Sequence, residues 1–143
     1  MKKWGIPLFC LAVDQGLKAL VAATVTGEAV LLPGVLTVSP TLNPGISFGF
    51  LGNSPFFGTV IGLAFFALLL FFVKKNPPGR FGMMCFLVAA GGYAGNLIDR
   101  LRLGYVFDFL YFPFLPFFVC NPADIMICLG LLGTCIDYLR KKE

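Results

Sequence analysis

The chain carries four long apolar stretches separated by turns rich in charged residues, proline and glycine. The clearest stretch covers residues 56–73 without a charge and ends at Lys74-Lys75-Asn76-Pro77-Pro78-Gly79-Arg80. Another, residues 81–98, begins directly after that turn, so the two are predicted to form a hairpin of membrane-spanning helices. We predict spans at residues 4–25, 56–73, 81–100 and 122–139, with longer outer segments at residues 26–55 and 101–121.

The composition is that of a chain surrounded by lipid. Of its 143 residues, 58% are hydrophobic and 13% are charged, against about 25% charged in ordinary soluble domains. A soluble core of this size cannot bury so much apolar surface, whereas a bilayer can. We therefore expect one domain, residues 1–143, with the fold class of an all-α membrane protein. It should be a four-transmembrane-helix bundle with a small extracytoplasmic cap that contains β-strands.

Basic residues indicate the orientation of the spans. Eight of the 11 lysines and arginines fall on one side of this arrangement: Lys2, Lys3, Lys74, Lys75, Arg80, Arg140, Lys141 and Lys142. By the positive-inside rule that side is cytoplasmic, so both termini are predicted to be cytoplasmic. No A-x-A-like cleavage site follows the first basic residues, so the first span is predicted to be retained. The basic residues are too scattered to indicate nucleic-acid binding.

The outer segments have patterns of their own. Residues 30–38 contain two short β-type runs around a Pro-Gly turn, which predicts a pair of strands. Eight of the fourteen residues in 105–118 are aromatic. Such a composition is typical of segments that anchor at lipid headgroups. Because Tyr105, Phe107, Phe109 and Tyr111 alternate, an extended stretch would point Asp108 away from the aromatic face. We expect a small cap that lies on the bilayer.

Polar residues inside the first and third spans need an explanation. Asp14 and Lys18 are one helical turn apart and are predicted to form a structural ion pair. Asn96, Asp99 and Arg100 share one face at the outer end of the third span. They predict either an Asp-Arg pair at a helix end or a polar site that faces into the bundle. Gly91-x-x-x-Gly95 in the same span predicts close approach of a neighbouring helix.

Asp108 and Asp124 are the strongest indication of chemistry. Two carboxylates that meet at a membrane surface can share one proton and activate a water molecule. Asp124 also has a purely structural explanation, because Asn121 can cap a helix in which Asp124 is the third residue. Asp108 has no such explanation, since it lies among aromatic residues without a nearby cation in the sequence. The chain has no histidine, which excludes Ser-His and Cys-His catalysis, and nothing in it predicts a cofactor or a metal site.

Taken in order, these motifs resemble lipoprotein signal peptidase (signal peptidase II), a family of bacterial membrane aspartic peptidases. The family pattern is Asp-Gln with a Lys shortly after, Asn-x-Gly-x-x-Phe, Gly-Asn-x-x-Asp-Arg followed by Val-x-Asp-Phe, and Asn-x-Ala-Asp. The matching segments are Asp14-Gln15 with Lys18, Asn43-Pro44-Gly45-Ile46-Ser47-Phe48, Gly95-Asn96-Leu97-Ile98-Asp99-Arg100, Val106-Phe107-Asp108-Phe109 and Asn121-Pro122-Ala123-Asp124. Pro44, Ile46, Cys120 and Pro122 depart from the residues usual at those positions, and none of these changes removes a catalytic group.

The resemblance implies that Asp108 and Asp124 are the catalytic dyad of an aspartic endopeptidase without a cofactor. Its substrates would be diacylglyceryl-modified prolipoproteins, cut just before the lipidated cysteine. By the same resemblance, Asn43, Asn96, Arg100 and Asn121 line the site, while Asp99, Asp14 and Lys18 support its architecture. The enzyme is expected to be a monomer in the bacterial plasma (inner) membrane, in contact with membrane lipids. Its active site would be extracytoplasmic and would bind inhibitors of the globomycin type.

The alternative is a small non-catalytic membrane bundle with a proton or ion relay. Such a relay would use Asp14, Asp99, Asp108 and Asp124, spread through the depth of the membrane. The sequence instead predicts three of these carboxylates at one surface, with only Asp14 deeper. The peptidase is therefore the favoured prediction.

Overall fold

Four long helices and a small antiparallel sheet make up the computed structural model, which describes residues 4–44, 55–115 and 118–141. The helices are α1 (Gly5–Thr24), α2 (Pro55–Lys75), α3 (Arg80–Leu103) and α4 (Pro122–Arg140), and the strands are β1 (Ala29–Leu32), β2 (Leu36–Asn43), β3 (Val106–Tyr111) and β4 (Val119–Cys120). All four helices are long and apolar enough to cross a membrane. The predicted fold class is confirmed. Part of the predicted first outer segment, including Gly45, Ile46 and Phe48, lies outside the described residues.

Two helices extend beyond their predicted ends. Helix α2 includes Lys74 and Lys75, because cations are favourable at a helix C-terminus and their long side chains reach toward water. Helix α3 continues to Leu103 and stops at Gly104, whose φ is +79°. Glycine adopts this left-handed conformation without steric penalty, so it ends the helix and turns the chain into β3.

Helix α3 lies at the centre of the bundle because its glycines accept neighbours on two sides. A Cβ atom on Gly91 would lie 2.6 Å from the Cβ of Cys10 in α1, and one on Gly92 would lie 2.5 Å from the carbonyl oxygen of Ala123 in α4. A Cβ atom on Gly95 would collide with the carboxylate of Asp14. The predicted role of Gly91-x-x-x-Gly95 in close helix packing is therefore confirmed, with α1 as the partner.

At the opposite end of the bundle from the sheet, α4 holds the turn between α2 and α3. The Asp137 carboxylate accepts a hydrogen bond from the Gly79 backbone N–H at 2.6 Å and so caps the first turn of α3 from another helix. Lys141 donates to the Pro77 carbonyl at 3.0 Å. Further along, α2 packs on α3 through stacked rings of Phe66 and Tyr93, whose centroids are 4.2 Å apart.

The sheet has the strand order β1-β2-β3-β4, with all neighbours antiparallel. Both predicted strands of the Pro-Gly hairpin and the predicted extended stretch around Asp108 are present. The core under the sheet is formed by Val38 and Phe109 packed against Val21 in the last turn of α1. Thr37 pairs with Tyr111 and Asn43 pairs with Val106. The β1–β2 turn and the chain after Tyr111 therefore lie at one end of the sheet, and Asn43 lies at the other.

Candidate active site

Asp108 lies on β3, where the pleat turns its side chain toward the helices, and only 2% of it is exposed. One carboxyl oxygen, Oδ1, accepts a hydrogen bond from the Asn121 side-chain amide at 2.6 Å. The other, Oδ2, accepts one from the Asn43 amide at 2.9 Å. Asn43 reaches it because β2 and β3 are paired along this stretch. Two neutral donors thus hold both oxygens of a buried carboxyl group.

Asp124 lies in the first turn of α4 and is partly exposed. Asn121 caps this helix by accepting from the Asp124 backbone N–H, and Asp124 Oδ2 accepts in return from the Asn121 backbone N–H at 3.1 Å. Pro122 occupies the first helical position, where its missing N–H has no cost. Asp124 Oδ1 accepts from the Asn96 side-chain amide at 2.7 Å. The predicted capping arrangement is present, and it directs this carboxylate toward α3 and β3.

Two side-chain amides connect the two carboxyl groups. Asn121 is fully buried, and its Nδ2 donates both to Asp108 Oδ1 and to Asn96 Oδ1, the latter at 3.0 Å. Asn96 passes the connection on to Asp124. The orientation of each amide is fixed by a partner that can only donate, which is Lys18 for the Asn96 oxygen and the Asp124 backbone N–H for the Asn121 oxygen.

Electrostatics separate Asp108 from an ordinary surface aspartate. Burial raises the pKa of Asp108 to about 6, with a smaller contribution from the negative charge of Asp124, against the lowering effect of the Asn43 and Asn121 hydrogen bonds. Burial likewise raises the pKa of the nearby Cys120 thiol to about 12, so this thiol stays protonated and is not a nucleophile.

Beside Asp108 and Asp124 lies a buried ionic cluster. Lys18 Nζ forms ion pairs with Asp14 Oδ2 at 2.9 Å and with Asp99 Oδ2 at 2.7 Å. It also donates to Asn96 Oδ1 at 3.0 Å, which uses all three of its protons. The predicted Asp14–Lys18 pair is therefore present. Of the two predictions for the outer end of α3, the polar site facing into the bundle is confirmed, because Asp99 pairs with Lys18.

The remaining predicted residue, Arg100, lies at the edge of this arrangement. It is half-buried, and its Nη1 donates to the Asn96 backbone carbonyl at 3.4 Å. Among the described residues, Asn43, Asn96, Asn121, Asp14, Lys18 and Asp99 are connected directly or through one another to Asp108 and Asp124. The departures at Cys120 and Pro122 lie in the same short segment and leave its hydrogen bonds intact.

Sequence reasoning gave no role to Gln15, which the structure brings into the cluster. Its amide donates to Asp99 Oδ1 at 2.9 Å, to Asp14 Oδ2 at 3.1 Å and to the Gly95 carbonyl at 3.3 Å. The available signal was its position beside Asp14 in an otherwise apolar helix. Gln15 ties α1 to α3 at the level of the ionic cluster.

The depth of the site differs from the prediction. Asp14 was expected to lie deeper than the other carboxylates, but its Oδ1 accepts from the Ala123 backbone N–H, in the first turn of α4, at 3.1 Å. Asp14 precedes the end of α1 by ten residues, or about 15 Å of helix. The start of α4 is thus recessed below the end of α1. All four carboxylates belong to one cluster, so the relay alternative is not favoured.

An apolar cavity of about 300 Å³ adjoins Asp124. It is open on one side and is bordered by the chain that follows β3 and by the first half of α4, with the lining residues Phe112, Phe114, Leu115, Phe118, Cys120, Asp124, Ile125, Cys128 and Leu129. A carboxylate therefore lies at the border between the polar network and a space suited to aliphatic groups.

Known proteins of one family resemble this chain over most of its length. The family model of signal peptidase (SPase) II matches residues 6–140. A lipoprotein signal peptidase of Geobacter metallireducens is 34% identical over 141 residues, covering 93% of this chain and 87% of that protein. One from Streptococcus thermophilus is 32% identical, covering 92% of this chain and 90% of that protein.

Solved structures agree in fold. A bacterial membrane enzyme determined at 2.3 Å by the in meso method superposes with a TM-score of 0.86 at 25% identity, covering 99% of this chain and 89% of that one. A second bacterial membrane enzyme structure, at 1.9 Å, gives a TM-score of 0.82 at 25% identity, with 96% and 92% covered. The chain belongs to the signal peptidase II family.

Proposed function

We propose that this protein is an aspartic endopeptidase that removes the signal peptide from diacylglyceryl-modified prolipoproteins, with Asp108 and Asp124 as the catalytic dyad. The observation that carries the assignment is that buried Asn121 binds both carboxyl groups, Asp124 through its backbone N–H and Asp108 through its side-chain amide. Two carboxyl groups this closely connected favour a state with one shared proton, which is the state that aspartic peptidases use. The cut would fall just before the lipidated cysteine.

The two aspartates have different roles in this proposal. Asp124 receives N–H donors on both oxygens at a helix N-terminus, which suits an ionised base. Asp108, with its pKa raised to about 6 by burial, is the member that retains the proton. Asp124 then deprotonates a water molecule while Asp108 donates a hydrogen bond to the scissile carbonyl oxygen. The amides of Asn43, Asn96 and Asn121 hold the carboxyl groups and, with Arg100, line the peptide-binding site.

The location of the site suits a lipidated substrate. Its acyl chains can remain in the membrane while the bond to be cut reaches the dyad, and the apolar cavity beside Asp124 is open to aliphatic groups. We propose that the protein works as a monomer among the lipids of the bacterial plasma (inner) membrane. Inhibitors of the globomycin type would bind at the dyad.

The direct test of this function is cleavage by the purified protein. Incubation with a diacylglyceryl-modified prolipoprotein should release the signal peptide and leave the modified cysteine as the new N-terminus, and globomycin should prevent this. The unmodified prolipoprotein is the matched control substrate and should remain uncut. Failure to cleave the modified substrate, by protein shown to be folded, would contradict the proposed activity.

The proton assignment predicts how Asn43→Ala changes the pH dependence. The Asn43 hydrogen bond stabilises ionised Asp108, so its removal raises the pKa of Asp108 further. In the wild type, kcat/KM should fall as pH rises through about 6, because Asp108 loses its proton there. In Asn43→Ala this basic limb should move to higher pH.

The matched control for that experiment is Thr41→Ala on the same strand. Thr41 pairs with Asp108 in the sheet, but its side-chain hydroxyl donates to the Ser39 carbonyl at 3.0 Å and not to the Asp108 carboxyl group. Its basic limb should stay at the wild-type pH. The two limbs of the pH profile report pKa values of the coupled pair of aspartates and not of either residue alone. A shift of the acidic limb instead of the basic one in Asn43→Ala would reverse the roles of the two aspartates.

The distribution of basic residues predicts the topology. Reporter fusions after Lys75 and after Glu143 should behave as cytoplasmic, and a fusion near Thr37 should behave as extracytoplasmic. The reason is that eight of the 11 basic residues lie on the same side of the predicted spans as Lys75 and Glu143. The dyad would then face the compartment in which lipidated prolipoproteins present their cleavage site. A cytoplasmic signal at Thr37 would place the dyad on the wrong side of the membrane.

A further inference from the structure

Two apolar turns project from the same end of the sheet. One is the β1–β2 turn with Val30, Leu31, Leu32 and Val35, and the other is the chain after β3 with Phe114 and Leu115. These six side chains, here called the tip surface, are 49–63% exposed. The pairing of Thr37 with Tyr111 places both turns at one end of the sheet. So much exposed apolar surface at one site indicates a binding surface.

Charge and position restrict what can cover the tip surface. No charged residue occurs from Ala29 to Leu42 or from Phe109 to Leu115, whereas protein-binding sites usually have a polar rim. The sheet packs on Val21 in the last turn of α1. The second turn shares a cavity with Leu129, which is seven residues, or about 10 Å, below the start of α4. This end of the sheet therefore extends alongside a membrane-spanning helix.

The exposed edge of β1 limits how deep the tip can go. Strand β1 is an edge strand of the sheet, so within the part of the chain that the structure describes its outer backbone N–H and C=O groups have no strand partner. Unpaired backbone groups are not tolerated in the hydrocarbon region but remain hydrated among headgroups. Apolar side chains can still reach into the acyl boundary from that level.

From these observations we propose that the tip surface is a membrane contact, inserted at the headgroup–acyl boundary of the leaflet on the side of the sheet. The contact sets the height of the sheet, because β2 and β3 connect the tip at one end to Asn43 and Asp108 farther along. It does not depend on the proposed peptidase activity, since lipid contact can be measured on protein without substrate.

The test uses the single tryptophan of the chain. Trp4 is 75% exposed at the far end of the bundle, so Trp4→Phe gives a background in which Leu31→Trp is the only tryptophan and can be excited selectively over the tyrosines. In vesicles whose phospholipids carry bromine near the start of the acyl chains, its emission should fall about twofold, because the side chain lies at the acyl boundary. Bromine near the chain ends should quench less.

The matched control is Glu28→Trp in the same background. Glu28 is exposed at the other end of the hairpin and accepts from Ser39 across the strand pair, so a tryptophan there should be quenched much less. Val35→Trp provides a second reporter on the opposite side of the turn, for use if Leu31→Trp does not fold. Equal and weak quenching of the tip and control tryptophans in folded protein would overturn the proposal and favour a protein partner.

A functional measurement complements the spectroscopy. Leu31→Ser combined with Leu32→Ser should weaken tip quenching at Val35→Trp and should lower kcat/KM on membrane-embedded prolipoprotein, mainly through KM. If wild-type protein shows no cleavage, the proposed function fails while the quenching result still decides the membrane contact. Unchanged quenching at Val35→Trp would show that these leucines do not hold the tip in lipid, against the proposal.

Discussion

Replacing either Asp108 or Asp124 by asparagine is expected to reduce prolipoprotein cleavage by at least about 100-fold, the usual contribution of a positioned acid or base. An asparagine cannot take a proton from water and cannot share one with its neighbour. Each substitution also puts an amide N–H₂ against existing donors, since both oxygens of both aspartates accept N–H groups. The measurement is turnover at saturating substrate.

Folding must be separated from chemistry in that experiment. Asp124→Asn also removes a charge from a helix N-terminus, which costs about 1 kcal/mol or less of stability. Asp137→Asn is the matched control, because Asp137 is a carboxylate on the same helix that caps α3 far from the dyad. It should keep its activity. Turnover of more than a few per cent in folded Asp108→Asn or Asp124→Asn would refute the dyad.

The largest effect on stability is expected from Lys18→Met. Lys18 is 4% exposed and forms ion pairs with both Asp14 and Asp99. Its removal leaves two buried carboxylates facing each other without a cation, and breaking buried ion pairs in this way costs about 3–5 kcal/mol. Thermal unfolding in detergent, followed by circular dichroism, should show a large fall in the transition temperature.

Two further variants test the cause of this effect. Lys74→Met removes an exposed lysine, and surface changes of this kind shift stability by about 0.5 kcal/mol or less. Adding Asp99→Asn to Lys18→Met removes one of the two uncompensated charges and should restore part of the lost stability. A Lys18→Met protein as stable as Lys74→Met would contradict the role of Lys18 in balancing the buried charges.

The helices were predictable to within a few residues because each is a long, predominantly apolar segment. The capping of α4 was also predictable, since Asn121, Pro122 and Asp124 act within one turn. The Asp14–Lys18 ion pair was predictable for the same reason, because its two residues lie on one face of the same helix. All of these features depend on contacts between residues close in sequence.

The features that could not be predicted depend on contacts between helices. The partner of Asp99 is Lys18 on another helix rather than its sequence neighbour Arg100, and no local pattern encodes that choice. The recessed start of α4 follows from Gly92, which lets Ala123 approach α3, and from Asp14, which binds the Ala123 N–H. The two-residue strand β4 was not predicted, because so short a strand has no periodicity of its own.

The cap on the first turn of α4 has a consequence for biosynthesis. Asp14 leaves the ribosome 109 residues before Ala123, whose backbone N–H it binds in α4. Asp124 cannot be held in position until α4 has joined α1. With the dyad proposed above, a chain in which α4 is missing or not yet inserted would have no organised active site, so proteolysis would be withheld from the membrane until assembly is complete.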